Sequence, residues 1–383
     1  MAQDKVESKE EQSYRYHRLV VKLGTNLVTT PEGHLDLINM AALVRQITHL
    51  HHDGLETVLV SSGAIAAGRD RLGIHKEARE VPFRQVMAAV GQGRLMHIYE
   101  QFFAEHGITI AQALLTREDI SDRAGYLNAR NTIMGLLYFG VVPIVNENDV
   151  VAIDEIREAK FGDNDTLSAL VANLVDADVL ILLSDVAGLY TADPNLDPEA
   201  RLIPLVEQID RRIDELAGKT AGRWGTGGMA TKIRSAKLAT SSGVPVVLAS
   251  GRMPDVVLRL ARGEQTGTLF SAATSKLESR KRWLIGGLTC RGSLVIDMGA
   301  AAALKQGKGS LLPAGIIRVE GQFQRGDAVE IVDDRSRQVA RGIVNYGSAD
   351  VDAIKGAHSE DIASLLGYEF GAEVVHRDNL VIL

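Results

Sequence analysis

Over the first two thirds of the chain, short apolar runs alternate with longer amphipathic stretches. Residues 19–23 are apolar except for Lys22, and Gly24 stops the run. Residues 35–52 then place Leu35, Ile38, Ala42, Leu43, Ile47 and Leu50 at helical spacing, with Gly54 just beyond. Residues 57–60 are again a strand, stopped by Ser61, Ser62 and Gly63. The alternation continues with helices predicted over 83–106, 126–139 and 165–174. Strands are predicted over 108–115, 141–145, 179–183 and 244–249. Continuous apolar strands separated by helices predict an α/β fold, an open and mostly parallel sheet sandwiched by helices. Ligands in such sheets bind beyond the carboxyl ends of the strands, so the loops that follow strands are the places to search.

Near residue 271 the pattern changes. Residues 271–282 are polar and end in the basic run Arg280, Lys281 and Arg282, the composition of a linker. Beyond it come short β runs (294–296, 315–319, 328–332, 339–344) broken by Gly and Asp, with a helical insert near 360–366. A small β-barrel-like domain is the expectation. The expected division is therefore a tail over 1–17, a large domain over 18–270, a linker over 271–282, and a small domain with the C-terminal segment over 283–383.

Composition narrows the class without naming the chemistry. With 383 residues, 45% hydrophobic and 24% charged, the chain is long enough for two globular cores. Its apolar runs fall far short of the roughly 20 residues that a membrane helix needs. The first 18 residues mix Lys and Glu with no apolar segment, unlike a secretory signal. Cys290 is the single cysteine, so no intrachain disulfide can form, and a cytoplasmic location is expected. A net charge of −7 argues against a partner held mainly by attraction to phosphates.

The strongest local signal is Gly225-Thr-Gly-Gly-Met-Ala-Thr-Lys232, which leads into an amphipathic run. Glycines let backbone N–H groups approach phosphate oxygens, and a helix start adds positive potential. The terminal lysine can carry charge to a transferring phosphoryl group. The spacing fits neither a Walker A loop nor the dinucleotide fingerprint, and a glycine-rich cap would also account for it. Lys22 stands inside an apolar strand, where an ammonium either reaches out to an edge or has a job. Polar clusters follow two other strands, Asn146-Glu-Asn-Asp149 and Ser184-Asp185, and a third, Asp163-Asn-Asp165, lies just before the helix through Leu174. Any one of them could be a turn or a helix cap. His49, His51 and His52 end an amphipathic helix with no carboxylate cluster beside them and are read as surface residues, and Cys290 as a packed thiol.

In this order, Val20-Val-Lys22-Leu-Gly-Thr25, Ser61-Ser-Gly-Ala-Ile-Ala-Ala-Gly68, Asn146-Glu-Asn-Asp149, Gly162-Asp-Asn-Asp165 and the loop ending at Lys232 resemble the signature of the glutamate-phosphorylating branch of the amino acid kinase family. Ser310-Leu-Leu-Pro-Ala-Gly-Ile316 and Phe323-Gln-Arg-Gly-Asp327 resemble the PUA domain that bacterial members carry. Asn26 stands where that branch often has Ser.

The resemblance implies an ATP- and Mg²⁺-dependent phosphotransferase acting on the γ-carboxylate of glutamate, at the entry to proline synthesis. It implies that Lys22 and Lys232 stabilise the phosphoryl group in flight and that Asp165 holds both. Ser62, Asp149 and Asn164 would bind glutamate. Lys22, Ser184, Asp185, Thr226, Gly227, Gly228, Met229, Ala230, Thr231 and Lys232 would bind ATP. No protein ligand for a metal is implied. Feedback inhibition by proline and a homo-oligomer are further implications.

A same-fold kinase acting on acetylglutamate or another amino acid is the nearest alternative. Asp149 speaks for a free ammonium, which an acetylated amine lacks. An RNA-binding regulator acting through the PUA-like domain is the alternative of another class. Residues 284–383, however, hold ten Lys and Arg against thirteen Asp and Glu, and an RNA-binding module normally shows a basic footprint.

Overall fold

The computed structural model describes residues 13–74, 80–152, 164–194, 196–219, 228–274, 290–307 and 309–383. The chain divides into two compact units, one of residues 1–120 and 129–275, the other of 121–128 and 276–383. The predicted linker over 271–282 lies mostly outside the described residues.

The first unit is built on eight strands, β1 (Arg18–Leu23), β2 (Glu56–Ser61), β3 (Ile110–Leu115), β4 (Val142–Glu147), β5 (Val179–Ser184), β6 (Leu205–Val206), β7 (Val246–Ser250) and β8 (Thr268–Phe270), in the order β3-β4-β2-β1-β5-β7-β8-β6. Every pairing is parallel except β7 with β8. β1, β2, β4 and β5 are almost wholly buried. That is why they read as unbroken apolar runs: helices cover both faces, so no position is left to solvent. The core combines strand residues such as Leu19, Val21, Leu59 and Ile181 with Leu43, Ile47 and Leu50 of the helix Leu37–His52. Asp36 caps that helix by accepting from the Asn39 N–H, which explains its start two residues after Leu35. The three histidines fall in its last turn; His49 and His52 are exposed, and His49 faces Asp53 at 3.5 Å.

Among the features that escaped the pattern, two are instructive. β8 runs antiparallel to β7, and the connection between them holds only the short helix Val256–Ala261 with turns on either side. The helix Ala64–Leu72 has too few large apolar residues to show a periodicity. Small residues are used there for contact. A Cβ placed on Gly68 would lie 1.9 Å from the Met87 carbonyl oxygen, and one on Gly91 would lie 1.8 Å from that of Ala64. The helices Ala64–Leu72 and Val81–Ala104 therefore meet backbone to backbone.

The second unit has its own five-stranded sheet, with β9 (Gly292–Ile296), β10 (Ile316–Gly321), β11 (Ala328–Asp333), β12 (Gln338–Ile343) and β13 (Leu380–Ile382) in the order β10-β9-β11-β12-β13. Only β9 and β11 are parallel. Leu294, Ile296, Val329, Ile331, Phe323 and Tyr346 are central to a separate core. The predicted insert appears as the 3-10 turn Ser359–Asp361 and the helix Ile362–Leu366. Cys290 is half-buried, and burial pushes its thiol pKa up. No helix among the described residues is long and apolar enough to cross a membrane.

Candidate active site

Register brings the polar clusters to one edge of the sheet. Lys22 lies opposite Val60 on one side and Leu182 on the other, so the ends of β1, β2 and β5 are level. Ser61, Asn146, Glu147 and Ser184 stand on the last residues of their strands. The turn beyond β4 carries Asp149, which is half-buried.

At the centre is a buried three-charge cluster. β1 is an interior strand of the sheet, so the Lys22 side chain has no edge to reach and is only 4% exposed. Its Nζ lies 2.5 Å from Asp165 Oδ1, and Lys232 Nζ lies 3.5 Å from Oδ2 of the same carboxylate. The Thr231 hydroxyl is 2.9 Å from Oδ2. Asp165 is the second residue of the helix Asn164–Leu174 and is fully buried. Burial by itself would raise its pKa. The ammonium groups of Lys22 and then Lys232, with hydrogen bonds from Lys22 and Thr231, outweigh it and hold the carboxyl below the usual range. Asp165 thus holds two lysines that start from elements far apart in sequence. Gly24 leaves room beside them, since a Cβ there would lie 3.8 Å from Lys22 Nζ and 3.2 Å from the Leu183 carbonyl oxygen.

Lys232 and Thr231 belong to the first turn of the helix Met229–Ser241. Gly228 is its N-cap, with extended backbone and no side-chain cap. Gly228 and Ala230 are exposed and Met229 is half-buried, so the first N–H groups are open to an anionic ligand. Thr226 and Gly227 lie outside the described residues, as do Asp163 and residues 153–161. Beside this helix start, Asp185 accepts from Asn26 Nδ2 at 2.8 Å and from the Ser184 hydroxyl at 2.9 Å. Burial raises the Asp185 pKa, but Asn26, Ser184 and the Lys232 charge bring it below the ordinary value. Asn26 thus donates to the Asp185 carboxylate.

The third group is a network of amides. Asn164 Nδ2 reaches the Ser61 carbonyl at 3.2 Å, Ser62 Oγ at 3.0 Å and Asn146 Oδ1 at 3.0 Å. Asn146 Nδ2 donates in turn to Gln92 Oε1 at 2.8 Å. Ser61 Oγ lies 2.6 Å from the hydroxyl of Tyr99, which is wholly buried. Of these, Ser62 and Asn164 were readable as candidates and Asn146 as part of a polar cluster. Gln92 and Tyr99 gave no signal, because one polar residue in a helix has no distinguishing pattern.

Two buried ammonium groups on one carboxylate, a helix start without a side-chain cap and polar strand ends form an arrangement suited to a charged, phosphate-like group. A model of the amino acid kinase family matches residues 17–250, and one of the PUA domain matches residues 292–366. The chain belongs to the amino acid kinase family. Within that family it is similar to a glutamate 5-kinase of Dehalococcoides mccartyi, 53% identical over 368 residues, which is 96% of this chain and 99% of the relative. A glutamate 5-kinase of Moorella thermoacetica is 49% identical over 366 residues, 96% of each chain. Among solved structures, a UMP kinase from Bacillus anthracis is similar over 68% of this chain and 97% of its own, at 15% identity and a TM-score of 0.47.

Proposed function

We propose that the chain is a kinase that transfers the γ-phosphoryl group of ATP to the γ-carboxylate of L-glutamate, giving L-glutamyl 5-phosphate and ADP. This is the first step of proline biosynthesis. The observation that carries the reading is the Lys22–Asp165–Lys232 cluster at the carboxyl ends of the central strands. Likeness to glutamate 5-kinases along nearly the whole chain points to the acceptor.

The chemistry suits these residues. The nucleophile is a carboxylate already ionised at neutral pH, so no general base is needed and no catalytic histidine is called for. What remains is to align two anions and neutralise the charge that spreads over the equatorial oxygens in the transition state. Lys22 and Lys232 would supply that charge from a water-poor site, where it acts strongly. Asp165 would keep the two ammonium groups from repelling each other out of place. Mg²⁺ would arrive as part of the MgATP substrate, with phosphate oxygens and water as most of its ligands.

Ser184, Asp185 and the loop through Lys232 are assigned to ATP. Ser62, Asn164 and Asp149 are assigned to glutamate, with Asp149 facing the α-ammonium. Proline feedback and assembly into a homo-oligomer belong to the same proposal. Proline titration of the assay and light scattering test them.

With MgATP and glutamate the protein is expected to produce an acyl phosphate that hydroxylamine traps as the γ-hydroxamate. Turnover of acetylglutamate equal to or better than that of glutamate overturns the choice of acceptor.

A further inference from the structure

We propose that Gln92 is a positioning residue. Acting through Asn146, it helps to hold the Asn164 carboxamide so that the carbonyl oxygen meets the substrate and accepts a hydrogen bond from the α-ammonium group. This rests on the reading of the site as a glutamate site.

The argument begins with backbone groups, whose donor and acceptor roles are fixed. A side-chain amide can ordinarily be drawn either way round. The Glu147 N–H donates to Asn146 at 2.9 Å, so the accepting atom is Asn146 Oδ1 and the other arm is Nδ2. That arm donates to Gln92 Oε1 at 2.8 Å. The Ser61 carbonyl can only accept, and so can Asn146 Oδ1. Both contact the same arm of Asn164, at 3.2 and 3.0 Å, which makes that arm Nδ2. A flipped Asn164 would set its oxygen against two oxygens.

Asn164 Oδ1 is thereby held away from these acceptors, buried and with no hydrogen-bond partner. A buried carbonyl without a donor is costly. Glutamate's carboxylates only accept, and its α-ammonium is the group that can donate. The oxygen of Asn164 therefore selects for an amino acid over a plain dicarboxylate.

Gln92 anchors the relay because the backbone beside it is fixed. Gly91 lies against the helix Ala64–Leu72 so closely that a Cβ there would be 1.8 Å from the Ala64 carbonyl oxygen and 2.3 Å from the Gly68 nitrogen. Seven residues further along the same helix, Tyr99 meets Ser61, whose carbonyl is one of the acceptors of Asn164. Without Gln92 Oε1, Asn146 Nδ2 loses its partner, and only the Glu147 N–H and the Ser61 carbonyl are left to hold the two asparagines, so their orientation is less firmly set. An Asn164 that presents its NH₂ to the α-ammonium repels it, whereas a substrate without that group is indifferent.

The test compares kcat/KM for glutamate with that for glutarate, the same dicarboxylate without the amine, in the full-length protein. Glutarate is read as competitive inhibition where its turnover is slow. Gln92→Met should lower the glutamate-to-glutarate ratio about tenfold, through KM for glutamate with kcat nearly unchanged, as loss of one oriented hydrogen bond to a charged group would do. Gln92→Glu keeps an acceptor for Asn146 and should retain the parent ratio. Should Gln92→Met fail to melt cooperatively, Asn146→Thr breaks the same relay and is expected to lower the ratio likewise. Equal losses for both ligands overturn the relay, because a merely structural role predicts them. So does a parent enzyme that binds glutarate as tightly as glutamate. A parent that does not phosphorylate glutamate at all would instead overturn the functional reading.

Discussion

Asp165→Asn removes one charge and almost no volume from the centre of the site. The carboxylate is fully buried, with ammonium groups at 2.5 and 3.5 Å. At an effective dielectric constant of about 20, unit charges at those separations attract by roughly 7 and 5 kcal/mol. Much of that offsets the desolvation of all three groups. Stripping one partner from a buried ion pair has a net cost of about 3–5 kcal/mol. Taking about 3 kcal/mol, and a shift of roughly 2–4 °C per kcal/mol for a large domain, the variant should melt roughly 6–12 °C lower.

The pH dependence has a definite sign. Asp165 titrates below its ordinary value of 3.8 in the folded protein. Its stabilising contribution is therefore complete above the unfolded pKa and is lost as pH falls through the folded one. The Tm gap between parent and variant should be constant above about pH 5 and should close as pH falls below about 4. Activity should suffer as well as stability. With the two lysines no longer held together, kcat is expected to fall at least about a hundredfold, which corresponds to about 2.7 kcal/mol of lost transition-state stabilisation. Scanning fluorimetry across pH and hydroxamate formation at saturating substrates measure the two effects. A variant that melts within a degree or two of the parent and keeps its kcat would refute the idea that Asp165 organises the lysines.

Lys232→Ala should lower kcat at least about a hundredfold with a smaller change in KM for ATP. A change in KM alone would make Lys232 a nucleotide-binding residue only. Asp149→Ala should raise KM for glutamate and leave kcat within a few-fold, because the α-ammonium does not change during transfer; a kcat-only effect would contradict that role. Gly91→Ala forces a methyl to within 1.8 Å of the Ala64 carbonyl oxygen and should destabilise the first unit by about 1–3 kcal/mol or more, seen as a lower Tm. An unchanged melt would mean that the two helices are not held as closely as described.

Much of this architecture was legible because burial writes itself into composition. β1, β2, β4 and β5 are hidden on both faces, so their sequences are continuous apolar runs, and a charged residue such as Lys22 stands out among them. Polar clusters that follow such strands can be located from the residue pattern alone, since a parallel sheet brings its strand ends to one edge. Ser62, Asp149, Ser184 and Asp185 follow strands in that way, while Asn164, Asp165 and the glycine loop stood out as polar or glycine-rich segments that lead into helices. What the sequence did not disclose is which of them touch.

Lys22, Asp165 and Lys232 are spread over more than two hundred residues, and only the register of β1 with its neighbours and the start of two helices bring them onto one carboxylate. Gln92 and Tyr99 were invisible because their importance lies in a distance rather than in a residue type. The helix Ala64–Leu72 was missed for the same reason that it matters, since small residues carry little hydrophobic signal yet allow the closest backbone approach. Periodicity records how much surface a segment buries. Pairings, amide orientation and charge compensation depend on positions in space, which tertiary packing alone supplies.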